Sequence, residues 1–104
     1  MASLKEVFDK LAEAVKANPD QAKKINGVFQ WKIGSESWVI DLKELKVFQG
    51  DAKKADVTLT LKEQDFLDLM SGKGNGQQMF MSGKIKFKGN MGLLMKLGDL
   101  QKLA

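Results

Sequence analysis

Four residue types that supply much of enzyme chemistry are missing from this chain: it has no histidine, cysteine, arginine or tyrosine, and all 17 of its cations are lysine. Without His or Cys there is no Ser-His-Asp or Cys-His nucleophile system, no thiolate and no zinc site with nitrogen or sulfur ligands. A general base near neutral pH would have to be a displaced carboxylate or lysine. Cysteine's absence forbids disulfides and fits any compartment. Long apolar runs are missing too. The longest strongly apolar window, residues 91–95, is far too short to cross a bilayer. The first residues show no apolar signal region, so secretion is not expected.

What remains is a folding composition. Of 104 residues 43% are hydrophobic and 29% charged, with a single proline and a net charge of +4, which describes a packed domain and not a disordered tail. The length allows one domain spanning residues 1–104. Size scaling leaves about a third of the extended-chain surface exposed, enough burial for one core and a modest cavity.

The hydrophobic period organises the chain. Leu4, Val7, Phe8, Leu11, Ala14 and Val15 recur at helical spacing behind a Ser3–Glu6 capping pair, and the helix should stop at Asn18, before Pro19. From Gly27 the period becomes two. Phe29, Trp31 and Ile33, then Trp38, Ile40 and Leu42 after a turn at residues 34–36, read as a hairpin; Leu45 and Val47 read as a third strand, and Val57, Leu59 and Leu61 as a fourth. Ile85 and Phe87 between Lys84, Lys86 and Lys88 read as a fifth. Helices are expected over residues 63–70, with Phe66, Leu67 and Met70 inward, over residues 76–81 behind Asn75, and from Asn90 to the end. This order gives α+β architecture, a mixed sheet with helices on one face.

Several patterns bear on function. The last helix has apolar residues nearly all round its first turns, which suits a helix wedged in a core, a wall shared with a lipid pocket, or a lip touching membrane. Five of the six methionines (Met70, Met79, Met81, Met91, Met95) fall within 26 positions and could form a reshapable lining or simply fill core gaps. Trp31 and Trp38 share the apolar parity of their strands, and each indole N–H wants a partner. Gln77 could face water or hold a ligand's polar end. The row Lys84, Lys86, Lys88 reads first as a solvated face; as a binding surface it would suit anionic lipid or acyl-coenzyme A, because nucleic-acid binders favour arginine and exposed aromatics. The segment Gly72-Lys73-Gly74-Asn75-Gly76 lacks the order and context of a phosphate loop.

The run from Gly72 to Gln77, Phe80 to Lys84, and Lys86-Phe87-Lys88-Gly89-Asn90-Met91-Gly92-Leu93 with Met95-Lys96-Leu97 resembles the C-terminal half of the sterol carrier protein-2 family. Trp38 to Lys43 and Ala52 to Thr60 carry the same resemblance. It implies a five-stranded sheet with helices on one side enclosing a hydrophobic tunnel for fatty acids, fatty acyl-coenzyme A, sterols and phospholipids, with no catalytic residue, cofactor or metal. The positions resembling the family's cavity lining are Phe29, Trp31, Trp38, Ile40, Phe66, Met70, Gln77, Phe80, Met81, Met91, Leu94 and Met95. Gly76 stands where members commonly carry proline. The chain ends Lys102-Leu103-Ala104, not in the Ser-Lys-Leu address of peroxisomal members.

The reading is thus an intracellular, peroxisomal or cytoplasmic lipid carrier, non-enzymatic and monomeric, in transient contact with anionic membranes and without a nucleic-acid partner. Its rivals are an interaction module with a Met-rich apolar groove and an enzyme using Asp41 or Asp56 as a displaced base.

Overall fold

A computed structural model describes residues 3–103. The Ser3 hydroxyl accepts from the Glu6 N–H at 3.2 Å and starts α1 (Leu4–Ala17). Its Leu4, Phe8, Leu11 and Val15 form one buried stripe, while Lys5 and Asp9 pair on the water side. The helix ends at Asn18, as expected, and Pro19 opens α2 (Pro19–Ile25) at the first-turn position where its missing N–H costs nothing.

Five strands follow: β1 (Val28–Ile33), β2 (Glu36–Asp41), β3 (Lys46–Gln49), β4 (Val57–Leu61) and, after the helices α3 (Glu63–Met70) and α4 (Gly76–Met81), β5 (Ile85–Gly89). They form one sheet in the order β3-β2-β1-β4-β5, in which only β1 and β4 run parallel. Two short helices, α5 (Met91–Met95) and α6 (Leu97–Leu103), complete the chain.

The period-two reading places the faces. Register aligns Trp31 with Trp38 on β2 and Leu59 on β4, and Leu59 with Phe87 on β5, so these residues share the inner face with Phe29, Ile33, Ile40, Val57, Leu61 and Ile85. Those side chains join Phe8, Leu11, Phe66, Leu69 and the leucines of α5 and α6 in one apolar cluster. Lys86 and Lys88 lie on the other face of β5, exposed, with Lys84 exposed just before it; charge along this sheet edge also discourages pairing with a further strand.

Three expectations need correction. Leu45 is not in a strand: it sits at φ 59° in the turn before β3, where Asp41 accepts from the N–H groups of Lys43 and Glu44 and winds the chain tightly. Leu69, not Met70, is the second fully buried residue of α3, because Phe66 and Leu69 face the sheet and leave Leu67 and Met70 half-buried. The last helix is two helices. Leu93 packs so closely over Gly27 that a Cβ there would lie 2.7 Å from it, and Leu97 packs over Gly76, where a Cβ would lie 2.9 Å away. The break at Lys96 lets the two leucines reach these separate targets, and the Lys96 ammonium donates to the Ile25 carbonyl at 3.2 Å.

The outer face carries the directional bonds. The β3–β4 connection crosses back over it, and Gln30, the buried polar residue among those described, fastens it there. Its amide donates to the carbonyls of Trp38 and Gly50, and its oxygen accepts from the Ala52 N–H at 2.7 Å. Asp56 then accepts from the Val28 N–H at 2.9 Å and pairs with Lys43 at 3.1 Å. Burial alone would raise the pKa of this carboxyl, but the Val28 bond and the Lys43 and Lys54 charges outweigh it and hold the group below its ordinary 3.8. A lowered folded-state pKa stabilises the fold above the unfolded value and loses that contribution as pH falls through the folded one.

Asp56→Asn should therefore cost about 1 kcal/mol near neutrality, the carboxylate being partly exposed, and should flatten the acid limb of the stability curve. Urea unfolding from pH 7 to 2.5 measures both effects; an acid limb as steep as in the parent would show that Asp56 does not carry it.

Candidate functional site

Between α1, α3 and the sheet, four rings form a column. Phe8 stacks on Trp38 at 4.5 Å with planes 4° apart, and on Phe66 at 5.0 Å and 13°; Phe66 then meets Trp31 edge-on at 5.1 Å and 69°. Each is buried. The helical stripe of α1 aims Phe8 at the sheet, the first inward turn of α3 aims Phe66, and register sets the two tryptophans side by side. These side chains pack the space between α1, α3 and the sheet.

The candidate residues divide into three sets. Phe29, Trp31, Trp38, Ile40, Phe66 and Leu94 are buried in the common apolar cluster. Met70 and Phe80 are half-buried against it, with Phe80 edge-on to Phe87 at 5.9 Å. Gln77, Met81, Met91 and Met95 are at the surface, the methionines 84%, 53% and 62% exposed. The methionine-rich segment is thus no single lining: among its five, Met79 is the one in the core.

Gln77 and Met95 meet at a groove of about 200 Å³ shared by Asn75, Gly76, Leu94, Leu97, Gly98 and Gln101. The Asn75 side chain accepts from the N–H groups of Gln77 and Gln78, starting α4 without proline, and the close seat of Leu97 explains a residue without Cβ at position 76. The Gln77 amide donates to the Met95 sulfur at 2.7 Å. The inner wall, Leu94 and Leu97, belongs to the same cluster as the aromatic column. The groove is therefore a surface opening whose floor is the core.

A second groove of about 250 Å³ runs between α2 and α6, lined by Ile25 and Leu103 with Gln21, Lys24, Lys96, Lys102 and the acidic Asp99. Sequence reading did not single it out, nor Gln101, whose amide donates to the Leu69 and Gly74 carbonyls and ties α6 to the end of α3. Gln101 stands four residues after Leu97 on the same helical face, and a polar residue in that apolar stripe was the available signal.

Asp56, one of the two carboxylates considered as a base, is bonded into the fold and made less basic by its surroundings; the other, Asp41, accepts the Lys43 and Glu44 N–H groups of the turn on its Oδ1. No group of three or more acidic, histidine or cysteine side chains that could hold a metal occurs among the described residues.

Comparison with known proteins gives a consistent picture. Residues 8–102 match the model of the SCP-2 sterol transfer family. Human sterol carrier protein 2 is 44% identical over 104 residues, covering 91% of this chain and 19% of the human one, so the chain spans about a fifth of that relative's length. The sterol carrier protein 2 of Yarrowia lipolytica superposes with a TM-score of 0.84 at 31% identity, covering 95% of this chain and 89% of the other. A palmitated SCP2-like protein of Aedes aegypti superposes with a TM-score of 0.79 at 31% identity, covering 96% and 95%.

If the aromatic column holds the helices to the sheet, Phe66→Ala should destabilise the domain by about 3–5 kcal/mol, the range for emptying a fully packed phenylalanine site. Urea unfolding checks this, and a loss below about 1 kcal/mol would contradict the packing described.

Proposed function

Since the chain belongs to the SCP-2 sterol transfer family, we propose that it is a non-enzymatic carrier that takes a single lipid acyl chain or sterol between its sheet and helices and passes it on. The observation carrying this reading is the inner face itself. Every residue it contributes to the buried core is apolar, and the apolar wall continues through Leu94 and Leu97 to the groove at Gln77 and Met95. Fatty acids are the first candidates, in line with the palmitated relative. Fatty acyl-coenzyme A, sterols and phospholipids are included on chemical grounds, and the groove between α2 and α6, where three lysines outnumber Asp99, suits an anionic headgroup.

The magnitudes are compatible with exchange. Burying a sixteen-carbon chain gains roughly 13 kcal/mol over water, at about 0.8 kcal/mol per methylene, and a bilayer offers a similar gain. Transfer from membrane to protein is therefore close to balanced, and modest packing differences decide its direction. To admit the chain the aromatic column must part. α4, α5 and α6 also pack on the core, none of them longer than seven residues, and helices so short are held by packing and not by their own stability. They are the natural gate.

Transient contact with anionic membranes, as a monomer in the peroxisome or cytoplasm, belongs to the same proposal. Met81, Met91 and Met95 stand exposed on α4 and α5, which flank the lysine-bearing β5, so apolar and cationic groups lie on neighbouring elements. Vesicles of phosphatidylcholine with phosphatidylserine should bind the protein at low salt and release it at high salt; equal binding to pure phosphatidylcholine would remove this part of the reading.

Palmitate at about a hundred times its Kd should raise Tm by about 10 °C or more, and native mass spectrometry should show one lipid per chain. Coincident melting curves, together with a mass spectrum free of lipid, would favour an interaction module instead.

A further inference from the structure

Trp31 and Trp38 face each other across β1 and β2 and share the inner face, but their indole N–H groups have opposite fates. Trp38 donates to the Glu36 carboxylate at 3.2 Å. Trp31 is 0% exposed, and its Nε1 has no acceptor within hydrogen-bonding distance among the described residues. Its surroundings explain why: its register neighbour on β4 is Leu59, Phe66 meets it edge-on, and Phe29 and Ile33 share its face of β1. None of these side chains carries an oxygen.

A buried donor without a partner is disfavoured, and native cores contain few of them. Phenylalanine fills comparable places in the same cluster, at positions 8, 29 and 66, without that cost. The odd feature of Trp31 is thus its polar atom, which lies at the centre of the apolar floor where the carrier reading puts the lipid.

We propose that the Trp31 indole N–H is the hydrogen-bond donor to a neutral oxygen of the bound lipid, a hydroxyl or a carbonyl, so that the core distinguishes oxygen-bearing lipids from bare hydrocarbon. The inference rests on the carrier reading and specifies its ligand class. A single uncharged donor matches a single acceptor lone pair. It does not match a carboxylate, because the buried part of the inner face is otherwise apolar and the buried amide of Gln30 lies on the opposite face with its bonds already made; an ionised group taken this deep would lack the cation or several donors that it needs. The oxygen that reaches Trp31 is therefore a sterol or alcohol hydroxyl, or an ester or thioester carbonyl, while a free acid keeps its carboxylate toward the groove at Gln77.

1-Hexadecanol and heptadecane test this, since they differ by one hydroxyl in place of one methyl. Both are delivered from cyclodextrin to ¹⁵N-labelled protein, with the two indole cross-peaks assigned through Trp38→Phe. Hexadecanol should move the Trp31 indole proton downfield while heptadecane leaves it in place, and it should bind about tenfold more tightly, the factor expected when an unpaired buried donor gains its acceptor. Trp31→Phe should lose the preference and bind the two ligands with about equal affinity. If both ligands bind and the indole proton stays put, or if Trp31→Phe keeps the preference, the inference is wrong and the carrier reading stands. If neither ligand nor palmitate binds, the carrier reading falls and the inference with it. Should the Phe variant not fold, the indole shift in the parent protein decides alone.

Discussion

Phe8 lies flat between Trp38 and Phe66, and that contact joins the parts of the molecule that the backbone leaves separate. The sheet has its own hydrogen-bond ladder and the helices theirs; between them there are few polar ties, and the aromatic column from β2 through α1 and α3 to β1 supplies the adhesion. Its energy comes from burial and dispersion, which are large in sum and indifferent to the identity of the apolar partner. A contact of this kind holds a fold closed and can also be exchanged for a lipid of similar surface. Directional bonds in the same place would have been lost outright on exchange.

The polar bonds bear this out by where they lie. Gln30 and Asp56 fasten the β3–β4 connection across the outer face, with Lys43 closing the pair, and none of these atoms faces the helices. Sheet and crossover therefore form a unit with its own polar framework. The helices over the inner face attach to the sheet chiefly through side-chain packing, and the bonds of Lys96 to Ile25 and of Gln101 to Leu69 tie helix to helix. Separation of the two layers would break few hydrogen bonds and would cost mainly apolar contact, which under the carrier proposal a lipid would restore.

Where the fold was legible in sequence, a repeating physical demand had left a repeating pattern. The period-two runs of β1, β2 and β4 and the lysine alternation of β5 fixed the inward residues, because a strand with one buried face must alternate. The caps at Ser3, Asn75 and Asn90 were readable since a side-chain oxygen has to meet the helix N–H groups there. What stayed hidden depended on partners distant in the chain. Leu69 and Met70 are adjacent, and only the seat of α3 on the sheet chooses between them. The division of α5 from α6 answers to Gly27 and Gly76, both more than fifteen residues away, and no local pattern announces it. The candidate site was legible as a set of apolar positions; its partition into buried wall and exposed rim was not, since Met91, Leu94 and Met95 look alike to a hydrophobicity count and differ only in which way a five-residue helix is turned.

That rim sharpens the proposed mechanism. Methionine is costly to leave in water but less so than leucine or phenylalanine would be, and its unbranched, polarizable side chain adapts to irregular partners. Leu93 and Leu94 face the core and Met91 and Met95 face outward, so α5 keeps its stiff residues for fixed contacts and its flexible ones for variable contacts. A helix wholly of leucine would bind its own core or a membrane too firmly to alternate between them. For a carrier, whose two end states are a lipid surface and a closed core of nearly equal apolar gain, the exposed side of the gate has to be weakly committed, and Met91 and Met95 meet that condition with the Gln77 amide, already on the Met95 sulfur, as the polar edge of the opening.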